Sequence, residues 1–518
     1  MYWKRYKALA DSAKLDESYY IIGLDIGNDS SAIAFYNLSE KSPESIDLSG
    51  GYGKPSIPTV VQYISDTKEW VFGEYAILNR GLGTEITLNN LVSRLGRSDY
   101  IDVDHKTMSI ASVLALFLKE LLSSVRNINP KAEIVGIVAA VPAYLSEQAH
   151  EEFQKAFSQA GYEKELIALV PDRECVFAHH YNTMPTREEC ALLLDFGSRE
   201  LRGGLYQVIP TGDTIQVTAM SSVFDESTGS ANLMRDVHDL FKSFLFEQAG
   251  IENTRQLREQ VSAFTYQHKD ILFQKNIRNK PVKLYYNFAY PPFQKAVAHD
   301  VVEALVKPYS TQFTSFIKSV LEKNLYEMKI RPADVTVVIC AGGGFDMLWA
   351  RDEVTGLFSK SQLKFSRNSK LITAEGAALV AARLLAVPES GAKLTLVDKH
   401  QFTCDIGISD GKSFLSIVEH NTFWWQTHPT KLVLVNAPVT IEEGFFLDIV
   451  ERSNTDVSRS LARINLDGLQ GRPKGVTRLE VKMSFSSNTD LTVNIRDMGF
   501  GELFPKTDFK REMVIRLG

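Results

Sequence analysis

The sequence predicts an α/β protein whose core is built from two halves on one plan, and three observations carry that expectation. The first is the stretch Ile21–Asn37 (IIGLDIGNDSSAIAFYN), an apolar run ending at Asp25, then Gly27 and small polar residues, then a second apolar run. It reads as a β-hairpin with a turn rich in backbone N–H groups. The second is its recurrence roughly 170 residues later at Ala191–Val208 (ALLLDFGSRELRGGLYQV), as an internal duplication would place it. The third is the alternation of strand and helix patterns along the chain, the signature of an α/β domain.

Taken in order, Met1–Ser18 has the spacing of a short amphipathic helix. The turn at Asp25–Ser31 can wrap a phosphate, because inward amides form an anion cradle, and its carboxylate can hold Mg²⁺ through water over the same phosphates. An ordinary hairpin turn accounts for the same residues. Pro55–Tyr63 alternates apolar and polar residues and predicts one strand. Met108–Ile128 has helical spacing, with Val113, Leu116, Leu118, Leu121 and Leu122 on a core face. Glu133–Val141 is a continuous apolar run of the kind buried on both faces of a sheet. A helix over Ser146–Gly161 follows, with a serine N-cap and a glycine stop. Leu166–Val170 predicts a further strand and Asp172–Tyr181 a further helix. Val335–Phe345 (VTVVICAGGGF) joins a buried strand to a helical pattern through three glycines, which let backbone approach a ligand closely. Near the C-terminus, Leu479, Val481, Met483 and Phe485 alternate on one strand and Leu491, Val493 and Ile495 on the next, with Ser487-Asn488-Thr489 as the turn.

Composition narrows the functional classes. The chain has 518 residues, too many for one core. Acidic residues outnumber basic ones, 63 to 57, without a basic block, which disfavours nucleic-acid binding through phosphate neutralisation. The four cysteines (Cys175, Cys190, Cys340, Cys404) form no CxxC pair and read as buried thiols of a reducing compartment. The N-terminus lacks the apolar core of a signal peptide and no run approaches a membrane span, so a cytoplasmic protein without a membrane partner is expected. His179 and His180 are adjacent on a predicted helix and point apart, which argues against paired metal ligands.

In order, GLDIGNDSSAIAFYN, PSIPTVVQY, VAAVPAYL, LLLDFGS, CAGGGFDM and AEGAALVAARLL resemble the ATPase-domain signatures of the DnaK-type heat-shock chaperones. FLSIVEHNT, ARINLDGL, the Pro473–Gly475 turn and RLEVKMSF with LTVNIRD resemble that family's peptide-binding β-sandwich. The resemblance implies an N-terminal extension over 1–18 and an actin-like, two-lobe nucleotide-binding domain over 19–388. It further implies an interdomain linker over 389–402, with Lys393–Asp398 as its apolar part, and a β-sandwich over 403–518. The chain stops right after the sandwich, so the family's helical lid is expected to be missing and bound peptide to exchange fast.

The same resemblance implies site residues. Asp25 and Asp195 sit where the family holds Mg²⁺ through water, and Gly27, Asn28, Ser30, Gly197, Ser198, Gly342 and Gly343 at its phosphate and nucleoside turns. Asp172 falls near the family's catalytic glutamate, and Pro142 on its hinge proline. Lys269 is what remains of the adenine-side Glu, Lys and Ser. Ile408, Phe414 and the strand Phe445–Val450, with Phe446 and Ile449, fall at the peptide groove. ATP or ADP with Mg²⁺, extended polypeptide segments and a J-domain-type co-chaperone are the implied cofactors and partners.

The departures from the family touch every part of the nucleotide site. Its paired threonines are Asn28 and Asp29, with Ser30 and Ser31 as substitutes by a one-residue shift. Its second turn is Gly197-Ser198-Arg199-Glu200, its catalytic lysine is Val92 with Arg94 the nearest cation, its stacking arginine is Asp346, and its arginine after the hinge proline is His150. Phosphoryl transfer relies on positioning and electrostatics, so these losses should slow hydrolysis by several orders of magnitude. Arg199 either folds inward to pair with Asp25 or Asp195 in place of the metal, or points to solvent. The Phe423-Trp424-Trp425 run is either a partner anchor or a cap on the sandwich core, with the core reading favoured. Two functions follow: a DnaK-like chaperone linked to nucleotide with weak or no hydrolysis, or a non-catalytic relative that binds peptide over a degenerate cleft.

Overall fold

A computed structural model of the protein describes residues 18–48, 55–80, 85–142, 145, 147–225, 227–273, 281–322, 330–366, 368–397, 402, 404–409, 413–420, 422, 428–435, 445–453, 458–485 and 490–517. The N-terminal helix expected at Met1–Ser18, the Ser146 N-cap, the Phe423-Trp424-Trp425 run and the Ser487-Asn488-Thr489 turn lie outside these residues, save Ser18. The chain divides into two compact units, one ending at Leu396 and one comprising mainly Val397–Gly518.

In the first unit, β1 (Tyr19–Ile26) and β2 (Ser30–Asn37) form the expected hairpin, with Asp25 opposite Ala32. β3 (Ser42–Ser45) and β4 (Ser56–Pro58) both pair with β2. A small sheet of β5 (Val61–Ile64), β6 (Glu69–Phe72) and β7 (Glu85–Leu88) and a hairpin of β8 (Tyr100–Val103) and β9 (Lys106–Ser109) follow. β10 (Glu133–Val141) then runs parallel to β1, and β11 (Leu166–Pro171) parallel to β10. The single strand expected over Pro55–Tyr63 is two, β4 and β5. Pro58 has no N–H to carry a ladder onward, and the Thr59 N–H turns to the Asp29 carbonyl at 2.9 Å.

The second half repeats the plan. β12 (Glu189–Phe196), β13 (Leu201–Thr211) and β14 (Thr214–Asp225) form an antiparallel run, and β15 (Val282–Tyr286) and β16 (Phe293–Val297) a separate hairpin. β17 (Val337–Ala341) lies parallel to β12, β18 (Leu363–Phe365) parallel to β17, and β19 (Lys393–Val397) edges the sheet beside β14. The two sheets run β11-β10-β1-β2-β3 and β18-β17-β12-β13-β14. Each is an antiparallel trio extended by two parallel strands on the side of its first member, so the duplication read from two turns extends to the five-strand order of both sheets, to which β19 adds a sixth strand in the second and β4 one in the first. The apolar part of the expected linker is strand β19.

The first sheet is covered on both faces. Ile22, Leu24, Ile137 and Ala139 pack with the helices Ile110–Ile128 and Glu147–Ala160, while Ile21, Val138 and Ala140 pack with the helix Ile372–Leu384. Neighbouring residues of β10 thus enter opposite cores, as the period of two requires. The Ile372–Leu384 helix is rich in small residues because it lies on backbone. A β-carbon at Gly23 would stand 2.1 Å from the Ala378 nitrogen, and one at Gly376 would stand 1.8 Å from the Cys175 carbonyl oxygen. Neither neighbour is a side chain that can rotate away. Gly376→Ala is therefore expected to lower stability by about 3 kcal/mol, the upper part of the range for overpacking, read as a fall in the midpoint of denaturant unfolding.

The second unit is a sandwich. β20 (Asp405–Ser409), β21 (Phe414–Val418), β23 (Phe446–Arg452) and β24 (Ser458–Asn465) form one sheet in the order β21-β20-β23-β24. β22 (Lys431–Val435), β25 (Thr477–Phe485), β26 (Asp490–Asp497) and β27 (Lys510–Arg516) form the other in the order β22-β25-β26-β27. Their shared core includes Ile406, Ile417 and Ile464 from one sheet and Leu479, Val481, Met483, Leu491, Val493 and Ile495 from the other. The alternation read from the sequence is the inward face of β25 and β26. Beneath it, Arg472 and Asp497 form a bidentate ion pair at 2.8 and 2.6 Å, with both side chains fully buried.

All four cysteines are free; Cys175, Cys340 and Cys404 are buried and Cys190 is half-buried. Burial pushes the Cys190 thiol up, to about 11, with Asp334 adding to the shift. Among the described residues no helix is long and apolar enough to cross a membrane.

Candidate functional site

The two duplicated turns and the loop before the Ile372–Leu384 helix converge in the first unit. Asp25 and Asp195 are the next-to-last residues of β1 and β12; both are half-buried at the C-terminal ends of their strands. Lys370, two residues before the helix, extends its Nζ to 2.7 Å from Asp25 Oδ2. Gly27 leaves room for that approach, since a β-carbon there would lie 3.1 Å from Lys370 Nζ. Gly342, at a φ of +87°, is packed so closely that a β-carbon would meet Asp195 Oδ1 at 2.6 Å.

Arg202 organises the other carboxylates. Its Nη1 lies 2.7 Å from Asp172 Oδ2, its Nη2 3.0 Å from Asp195 Oδ2 and its Nε 3.1 Å from Glu200 Oε1. The second oxygen of Asp172 accepts the Arg173 N–H at 2.7 Å. A further ion pair joins Lys269 Nζ to Asp29 Oδ2 at 3.7 Å, and the same ammonium stands 4.8 Å from the centre of the Tyr266 ring. Burial pushes the Asp195 carboxyl up, to about 6, against the pull of Arg202 and with the help of Asp172 and Asp25. Burial also disfavours the Lys370 ammonium, but Asp25, Asp195 and Asp29 outweigh it and hold that group above the ordinary lysine range.

The amides and hydroxyls of the turns are also engaged. Asn28 Oδ1 accepts the Ser93 N–H at 2.9 Å, and Ser31 is fully buried with its Oγ 2.7 Å from Thr59 Oγ1, which removes it as a stand-in for a phosphate contact. Ser30 pairs with Pro58 across β2 and β4. Gly197 donates its N–H to the Glu200 carbonyl at 3.0 Å, while the Gly197 and Ser198 carbonyls accept the N–H groups of Ser230 and Ala231 at 3.0 and 2.8 Å. The second turn is therefore closed on itself and on the start of the Ser230–Ser243 helix. Gly342 donates to the Ser369 carbonyl at 3.2 Å, and Gly343 lies 3.9 Å, measured from a β-carbon position, from the Lys370 stem.

Around this frame, Val92 is buried in the core, and Arg94 binds Asp99 at 2.6 Å. Asp346 lies 3.7 Å from Arg351. His179 faces Glu375 at 2.9 Å, and burial, with His179 and Lys364 nearby, holds His180 neutral down to about pH 4. Among the described residues no group of three or more His, Cys, Asp and Glu is arranged to hold a metal ion.

Mg²⁺ held through water by Asp25 and Asp195 does not fit this arrangement. Each carboxylate is already in contact with a fixed cation, Lys370 on one and Arg202 on the other. Five carboxylates (Asp25, Asp29, Asp172, Asp195 and Glu200) face three cations (Lys370, Arg202 and Lys269), a balance of 5 − 3, or two net negative charges. A triphosphate entering without a metal meets repulsion, and a metal entering must displace a lysine or an arginine. Arg202, not the Arg199 nearer the glycine turn, is the arginine on Asp195. The hairpin register was the signal: Asp195 pairs directly with Arg202, which puts the two side chains on one face.

In the sandwich, Ile408 and Ile449 are core residues, 4% and 0% exposed. Phe446 is 47% exposed with Arg463 5.8 Å from its ring centre, and Phe414 is half-buried with Arg452 at 5.4 Å. The expected groove residues thus separate into a buried pair and a surface pair. β21 is an edge strand of its sheet, and Leu415 on it is partly exposed.

Two sequence families match parts of the chain: the C-terminal part of a family of unknown function (DUF5716) over residues 42–228, and a domain of unknown function (DUF8552) over residues 400–517. Across both units the chain is similar to the chaperone protein DnaK of Thermosipho africanus, 24% identical over 501 residues, covering 93% of this chain and 79% of that protein. It is similarly 23% identical over 496 residues to the chaperone protein DnaK of Thermosipho melanesiensis, with the same coverage of each chain. The similarity is weak in identity and broad in extent, and it supports a DnaK-like relationship with chaperone-like function.

Proposed function

We propose that the protein is a divergent, non-catalytic DnaK relative, with an actin-like two-lobe unit, that binds extended apolar polypeptide segments through its β-sandwich. One observation carries the choice over a nucleotide-driven chaperone: Asp25 and Asp195 are each neutralised by a cation of the chain itself. The broad similarity to DnaK chaperones supports the polypeptide-binding half of the reading.

Phe414 and Phe446 would bear on the peptide's side chains, above a core that holds Ile408 and Ile449. Among the described residues β21 is the edge strand of its sheet, and its backbone N–H and C=O groups would be offered to an added strand. ATP hydrolysis would be absent or slower than in a functioning family member by several orders of magnitude, because Val92 at the lysine's position is buried in the core, Arg94 is engaged by Asp99 and Lys370 by Asp25. A J-domain-type partner belongs to a hydrolytic cycle and falls outside this reading.

The test is fluorescence anisotropy of a labelled apolar heptapeptide titrated with the full chain. Saturable binding, weakened at least about tenfold in a Phe414→Ser, Phe446→Ser double variant, is the expected result. Binding unaffected by the double variant would displace the site, and no binding would remove the function.

A further inference from the structure

Three cations, Lys370, Lys269 and Arg202, hold five carboxylates of the cleft. Asp25 and Asp29 belong to the first hairpin and Asp172 to the helix after β11, all in the first half of the duplicated unit. Lys269 and Arg202 come from the second half, and Lys370 from the loop that joins β18 to the Ile372–Leu384 helix packed on the first sheet. Asp29–Lys269 and Asp172–Arg202 therefore cross from one half to the other, while Arg202 also holds Asp195 and Glu200 within the second half.

The duplication is broken where this matters. In the first hairpin the residue opposite the turn carboxylate is Ala32; in the second it is Arg202. The second turn thus carries its own counter-ion on the neighbouring strand. The first has none on its strand and draws Lys370 from 345 positions away. Arg202 then reaches beyond Asp195 to Asp172, using its planar fork on carboxylates from both halves, which a lysine could not do.

We infer that Lys370 and Arg202 are resident counter-ions that take the place of a divalent cation, and that Arg202 clamps the two halves of the cleft together without any ligand. The clamp is a property of the chain and does not depend on whether the sandwich binds polypeptide, so each reading can fail alone. Asp172, expected as a catalytic carboxylate, acts here as the first half's anchor for Arg202. With one oxygen on Arg173 N–H and the other on the guanidinium, it is held away from the role of general base.

The experiment measures Mn²⁺ binding to the full chain from the loss of the free-ion electron paramagnetic resonance signal. The wild-type protein is expected to bind no Mn²⁺ in the cleft. The Lys370→Met, Arg202→Met double variant, which leaves Asp25, Asp195, Asp172 and Glu200 without their counter-ions, is expected to gain affinity of at least about tenfold, lost again on adding Asp25→Asn. Wild-type binding that Asp25→Asn abolishes would overturn the inference. So would a folded double variant that gains nothing, because something other than the two cations would then exclude the metal. If the double variant does not fold, hydrogen exchange of the wild-type protein decides. Unchanged protection at 195–204 and 368–372 on adding Mg²⁺ supports the clamp, and slowed exchange there contradicts it.

Discussion

Replacing Asp497 with alanine is expected to destabilise the β-sandwich by about 3–5 kcal/mol, because it strands Arg472 as an uncompensated buried charge. The carboxylate does more than pair with the guanidinium. Oδ1 also accepts the Gly499 N–H at 3.0 Å, and Oδ2 accepts the Thr507 N–H at 2.9 Å and the Thr507 hydroxyl at 2.8 Å. Arg472 in turn donates to the Pro505 carbonyl at 2.8 Å. One aspartate thus fastens the end of β26, the 499–507 connection and the turn at Arg472. Denaturant unfolding of the full chain would show the loss as an earlier transition of the sandwich. Replacing both partners with apolar residues of similar volume is expected to recover much of it.

The same group gives a pH dependence. Burial alone would raise the Asp497 carboxyl, but Arg472, Gly499 and Thr507 overcome it and hold the group at about 2. Its folded value lies below the unfolded value of about 3.9, so its stabilisation is present above that pH and is lost as pH falls toward 2. The contribution is on the order of 2 kcal/mol. Unfolding midpoints of wild-type protein should fall between pH 4 and 2 more steeply than those of Asp497→Asn.

Replacing Arg202 with leucine is the second large expected effect, about 3 kcal/mol from the first unit. The substitution leaves Asp172, Asp195 and Glu200 facing one another, with side chains only 13%, 20% and 5% exposed. Arg202→Lys should restore part of the loss at most, since an ammonium lacks the fork that spans Asp172 and Asp195. Arg202→Leu combined with Asp195→Leu should lose less than the sum of the two single changes, a coupling measured by a double-mutant cycle. Additive losses would mean that the pair carries no stability.

The fold was legible where the sequence is periodic. Two Asp-x-Gly turns announced two sheets of one order, and the alternation from Leu479 to Ile495 announced the inward face of the sandwich. The strand expected over Pro55–Tyr63 missed its break because the residues on either side of Pro58 keep an alternating pattern. The expected losses at Val92 and Asp346 drew attention to the cleft, whereas its cations Arg202 and Lys370 went unread. From the sequence, Arg199 is open between an inward and a solvent-facing position, because it stands next to the Gly197 turn. Counting the register from Phe196 opposite Leu201 instead brings Arg202 onto Asp195. Lys370 gave no such signal. It meets Asp25 only because the Ile372–Leu384 helix lies on β1, a contact set by Gly23 and the small residues facing it and not by any local motif.

Polypeptide binding by the sandwich is expected to be independent of the cleft. The most direct measurement is the dissociation constant of a labelled apolar peptide with and without saturating ATP and Mg²⁺. An unchanged constant, together with no heat of Mg²⁺-ATP binding by calorimetry, is the expected result. A shift of about tenfold or more on adding Mg²⁺-ATP would contradict it, because the nucleotide would then have entered a cleft that Lys370 and Arg202 are held to close.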